Sequence, residues 1–204
     1  IGTYGGGLNK FNQETGAFKH YRHDPQNQNS ICNDYIRTVI EDKNGFLWIG
    51  TQGGGLNKLD PRTDEFTLFI NNPDDTTTIS NDFIFSIIEQ EDGTFWLGTY
   101  GGGLNKFNPT TGHCERFTTN HGLASNSIYG VVIDFSNNLW ISTSNGMSQF
   151  NPHAKIFTNY NIDDGLQSTE FNGGSYFKSA SGELFFGGIN GFNAFYPDQI
   201  RQNE

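Results

Sequence analysis

Tyr4, Gln52, Tyr100 and Ser144 occupy one point of a recurring motif, each directly after an aliphatic-Gly/Ser-Thr run. Further polar side chains gather in the turns between apolar segments: Asn33 with Asp34, Asn81 with Asp82, then Asn126, Glu170 and Asn172. Aromatic rings beside amides and carboxylates suit a sugar, whose apolar face stacks while its hydroxyls take hydrogen bonds. The candidate ligand-binding residues are therefore Tyr4, Asn33, Asp34, Gln52, Asn81, Asp82, Tyr100, Asn126, Glu170 and Asn172. The same residue types also build turns, so a purely structural role stays open for each. If they bind, alanine at Tyr100 and Asp82 together is expected to abolish sugar binding while leaving the melting temperature nearly unchanged.

Other chemistries find little support. No acid, base and charge-stabilising set converges on one site, so no catalytic residue is assigned and a non-enzyme is expected. A propeller glycosidase or lyase is the weakest alternative. His20, His23, His113, His121 and His153 show no metal spacing, and neither a metal nor a cofactor is expected. The glycine triplets lack the Lys-Ser/Thr and the helix of a phosphate-binding loop; turns of positive φ are their expected use. Glu91-Asp92-Gly93-Thr94-Phe95-Trp96 departs from the sialidase Asp-box in the places of its Ser, Asp and Thr. With 12 basic against 22 acidic residues, the net charge of −10 argues against nucleic acid. No apolar run is long enough for membrane insertion by this segment. Cys32 and Cys114 fall at different phases of the repeat, so no disulfide is expected and the compartment is not indicated.

These residues are positioned by a repeat. Ile1 to Asn12, Ile49 to Asp60 and Leu97 to Asn108 are copies 48 residues apart, and shorter copies begin at Ile141 and Phe186. Each unit holds four short strand-like runs separated by Asp-Gly, Asn-Pro and glycine-rich turns, with no sustained helical period. Four antiparallel strands per unit of about 45 residues make a propeller blade. The expected fold is all-β: a partial β-propeller of three full four-stranded blades and two incomplete ones. The parts are a partial blade at 1–22, blades at 35–69, 83–117 and 128–160, a partial final blade at 171–197, and an exit at 198–204. The arrangement is either an open arc or a small ring in which the first and last parts share a composite sheet. Trp48, Trp96 and Trp140 share one repeat position and are expected to wedge between blades. The chain opens inside a repeat, as an excised piece of a longer protein would.

Leu47-Trp48-Ile49-Gly50-Thr51, followed by Gly-Gly-Gly-Leu-Asn-Lys, resembles the two-component regulator propeller repeat. Asp164 to Asn172, Gly182 to Phe192 and Phe195-Tyr196-Pro197 are similar to that family's final blade. Ser142 and Gly188 depart from the pattern at a Gly and a Thr position. The resemblance implies a ligand-sensing propeller from a membrane-bound hybrid histidine kinase or diguanylate cyclase, placed in the periplasm. The partners it implies are an oligosaccharide, neighbouring blades, a downstream β-sandwich domain and a second receptor copy in a dimer. The conformational signal would leave through Phe192 to Gln199, stiffened by Pro197. A structural or protein-docking propeller without a small ligand is the alternative.

Overall fold

Apolar, β-branched runs between turn residues give 17 short strands among the described residues, joined there by turns, loops and single 3-10 turns. The computed structural model describes residues 1–200; of the exit at 198–204, residues 201–204 lie outside the described residues. The first sheet pairs β1 (Leu8–Phe11) with β2 (Phe18–Tyr21). Next come β3 (Ile36–Glu41), β4 (Leu47–Thr51), β5 (Leu56–Asp60) and β6 (Glu65–Phe69). The third sheet holds β7 (Ile84–Glu89), β8 (Phe95–Thr99), β9 (Leu104–Phe107) and β10 (Cys114–Phe117). The fourth holds β11 (Ile128–Ile133), β12 (Leu139–Thr143), β13 (Gly146–Asn151) and β14 (Ile156–Tyr160). The last has β15 (Phe171–Lys178), β16 (Leu184–Gly188) and β17 (Gly191–Phe195). Every sheet is a simple antiparallel meander, as expected for propeller blades. Among the described residues no ladder joins the first sheet to the last, so the blades form an open arc.

The blades pack through aromatic wedges. Trp48 meets Phe95 and Phe107 of the next blade at ring-centre distances of 4.8 and 5.7 Å. Trp96 meets Phe150 at 5.7 Å, and Trp140 meets Phe195 at 4.8 Å. A buried indole N–H needs an acceptor. The turn between the first two strands of each blade supplies it: Asp42 at 2.8 Å, Gln90 at 3.0 Å and Asp134 at 3.0 Å. That turn thus fixes the wedge as well as reversing the chain. Cys32 and Cys114 are free thiols; burial pushes Cys114 up to about 12, which leaves it protonated and inert.

The innermost strands β3, β7, β11 and β15 crowd around one residue. Tyr176 of β15 lies in the middle, its hydroxyl 3.0 Å from Ser86 Oγ, with Thr38 as a second hydroxyl neighbour. Ser86 Oγ also accepts the Val131 N–H at 3.1 Å, tying three blades to one hydroxyl. Thr38, Ser86 and Gly130 are the same repeat position, and only the glycine leaves room for the ring. A Cβ on Gly130 would collide with the Tyr176 ring carbons Cδ1 and Cγ. Gly130→Val is therefore expected to cost about 1–3 kcal/mol by overpacking. Calorimetry should show a lowered melting temperature, with Gly130→Ala intermediate; an unchanged melt for both would refute this placement of Tyr176.

Candidate functional site

One rim of the arc carries both the loops that enter each innermost strand and the glycine turns that link its second and third strands. The two are welded by backbone hydrogen bonds. Gly5 and Gly7 N–H donate to the Asp34 carbonyl at 3.1 and 2.9 Å. Gly53 and Gly55 donate to Asp82 at 3.0 and 2.9 Å, and Gly101 and Gly103 to Asn126 at 3.0 and 2.9 Å. In the fourth copy, one glycine shorter, only Gly146 donates, to Thr169 at 2.7 Å.

The side chains of those acceptors are also committed. Asp34 Oδ1 accepts the His23 N–H at 2.8 Å, Asp82 Oδ1 the Asn71 N–H at 2.6 Å, and Asn126 Oδ1 the Thr119 N–H at 2.9 Å. Asn33 and Asn81 each close an Asx turn on the N–H two residues on, both at 2.8 Å. Of the ten candidates, these five thus already serve the backbone of the loops. Of the other five, Tyr4 is 66% exposed, Tyr100 48% and Asn172 is exposed, while the half-buried Gln52 and Glu170 accept hydrogen bonds from Arg37 and Tyr129.

The rim's remaining side chains come from three repeat positions. The first is the glycine turn: Tyr4, Gln52, Tyr100. The second precedes the innermost strand: Tyr35, Phe83, Ser127, Glu170. The third is a β-bulge inside that strand. Ile36 pairs with Thr51 and Thr38 with Gly50, so Arg37 is an extra residue; Phe85 and Tyr129 are extra in the same way. A bulge frees its residue from the alternation of the ladder and re-aims the side chain. In β15 the bulge is wider, with Phe171 opposite Gly188 and Tyr176 opposite Phe186, so Asn172 to Ser175 face Gly187 alone. Gly173 there sits against the Phe85 ring.

Together these side chains form a continuous ledge across the blades. Tyr4 and Tyr35 meet edge to face at 4.6 Å. The Arg37 guanidinium lies 4.9 Å from the Tyr4 ring centre, 5.3 Å from Phe83 and 5.2 Å from Phe85. Phe83 stacks on Phe85 at 4.7 Å, and both approach Tyr100 at 5.4 and 6.1 Å. Phe85 meets Tyr129 at 5.5 Å, and the Tyr129 hydroxyl donates to Glu170 Oε1 at 2.9 Å. Burial, then the Glu170 carboxylate, push the Tyr129 phenol up to about 12, so it keeps its donor proton at neutral pH. Sequence reasoning missed Tyr35, Arg37, Phe83, Phe85 and Tyr129. Their signal was variation between copies: Arg37, Phe85 and Tyr129 differ in type while Ile36, Ile84 and Ile128 before them are identical.

The repeats match a known family model, described as "Two component regulator propeller", at residues 30–53, 78–101 and 122–145. These are two-component regulator propeller repeats. A Formosa agariphila protein named "Histidine kinase P4" is 37% identical over 84 residues, 41% of this chain and 6% of that protein. The extracellular domain of the putative hybrid two component system BT4673 from B. thetaiotaomicron superposes with a TM-score of 0.82. It shares 22% identity, over 98% of this chain and 28% of that one. Virginiamycin B lyase from Staphylococcus aureus superposes at 0.66 with 14% identity, over 96% of this chain and 66% of that one, a likeness of fold alone. The chain thus spans about 6% of the curated relative it matches and 28% of the BT4673 structure.

The two kinds of rim residue predict different variants. Asp82→Ala leaves the Asn71 N–H without its acceptor and is expected to cost about 1–3 kcal/mol. Tyr100→Ala, an exposed ring, is expected to stay within about 0.5 kcal/mol. Chemical denaturation checks both, and equal losses would contradict the division. For the double variant these expectations together put a loss of about 1–3 kcal/mol in place of the nearly unchanged melting temperature expected from sequence.

Proposed function

We propose that this chain is part of the ligand-sensing propeller of a membrane-bound signalling receptor, lying on the extracytoplasmic, periplasmic side and binding an oligosaccharide. The observation that carries the reading is the ledge. Tyr4, Tyr35 and Tyr100 hold their rings at the surface, 66%, 42% and 48% exposed, on a backbone locked by the glycine turns. Rings held in place lose little freedom when a sugar stacks on them. Gln52, Glu170 and Asn172 supply amide and carboxylate groups along the same ledge. The repeat family and the two-component neighbours support the signalling context. Among the described residues no helix is long and apolar enough to cross a membrane, so an anchor and an output domain are assigned to the rest of the receptor.

The arc's two end faces fit that larger setting. Phe11 and Phe18 are exposed at one end, and Phe177 and Phe192 at the other, where further blades or a following β-sandwich would cover them. Signal relay is assigned to the last blade and the Pro197–Gln199 turn that follows it. A second receptor copy would complete a signalling dimer.

Calorimetric titration with a panel of oligosaccharides tests the proposal. At least one is expected to bind, and Tyr4→Ala with Tyr100→Ala to weaken it roughly tenfold. A panel without a binder, or a binder indifferent to both tyrosines, would refute it.

A further inference from the structure

Arg37 is the cation of the rim, and the ledge does not use up its donors. Its bulge lifts it out of the β3 ladder and sets its guanidinium beside the rings of Tyr4, Phe83 and Phe85. Its Nη2 donates to Gln52 Oε1 at 2.6 Å, the single hydrogen bond it makes among the described residues. Its Nε is buried without an acceptor, the only such side-chain atom among the described residues. None of the ion pairs among the described residues involves Arg37, although the chain carries 22 acidic side chains. Glu170, the acid of this ledge, is held at its far end by the Tyr129 hydroxyl.

Burying a guanidinium donor such as Nε without an acceptor is costly, and an anion beside the guanidinium offsets that cost. The surrounding rings lie within cation–π distance of it, a contact that takes up none of its N–H donors. Gln52 fixes the plane of that fork. A planar fork of N–H donors pairs best with a carboxylate or an oxyanion such as sulfate, often through two bonds at once. Exposed Tyr4 and Tyr35 lie beside it to stack on a ring.

We propose that the ledge takes an acidic saccharide, with the Arg37 guanidinium as the anchor for its carboxylate or sulfate group. This rests on the oligosaccharide reading above and narrows it. The probes are matched pairs: uronate oligosaccharides against their methyl esters, and sulfated galactose oligosaccharides against their desulfated forms. In calorimetric titrations at low salt, the acidic member of at least one pair is expected to bind tenfold or more tightly. That preference should shrink as sodium chloride is raised. Arg37→Met should lower affinity for the acidic member tenfold or more and leave the neutral member within about twofold, and Arg37→Lys should recover part of the preference. The first comparison needs no variant, so it stands even if a substitution harms folding. Neutral members binding as well as acidic ones would overturn the anion anchor and leave the oligosaccharide reading intact. An Arg37→Met loss equal for both members would assign Arg37 to supporting the rings. Binding to no saccharide of either kind would overturn both readings. Which pair shows the preference separates carboxylate from sulfate.

Discussion

Two amide hydrogens on one carbonyl join the blades at the first three junctions, and one amide, that of Gly146, does so at the last. Gly53 and Gly55 reach the Asp82 carbonyl across a blade boundary, and the same pair of bonds recurs at Asp34 and Asn126. Only glycine meets the demand. Gly55 has φ +68°, and a Cβ there would strike the Phe69 carbonyl oxygen; Gly7 and Gly103 are confined in the same way. The glycine triplets are thus spent on joining blades. The aromatic wedges Trp48 and Trp96 close two of these boundaries on the inside, and Trp140 closes the last, where Gly146 alone donates at the rim.

With the backbone of the rim fixed this way, its side chains are free to differ. The turn position holds Tyr, Gln, Tyr and Ser; the bulge position holds Arg, Phe, Tyr and, in the wide bulge of β15, Asn. A stack of near-identical blades thereby presents a non-repeating surface, which is what selective recognition of one ligand needs. Tyr176 adds a second constraint from the centre. By filling the space between β3, β7 and β11 it draws the last blade inward and brings Gly173 against Phe85. The proposed ledge is continuous partly for that reason.

Much of the architecture was legible because it repeats. The 48-residue period, the Asp-Gly and Asn-Pro turns and the shared tryptophan position lead to four-stranded blades without any tertiary knowledge. The rim was harder. Asp34, Asp82 and Asn126 look like ligand groups because they are polar and lie in loops, yet each partner is a backbone N–H 7 to 11 residues away, set by how the loop folds back. Arg37, Phe85 and Tyr129 were hidden for the opposite reason. They stand inside apolar strand segments, and alternation assigns a face only while the register is unbroken. One extra residue in the strand sends the side chain elsewhere, and nothing local in Ile36-Arg37-Thr38 announces the bulge.

Residue-resolved amide hydrogen exchange tests the lock most directly. Gly5, Gly7, Gly53, Gly55, Gly101 and Gly103 lie in loops, where exchange is ordinarily fast. If their amides hold the blades together, they will exchange as slowly as the strand amides beside them, and Gly130→Val will speed strand and loop alike. Exchange of the six glycines at the rate of an open loop, with the strands still protected, would show that the blades stand without the lock and would contradict this account.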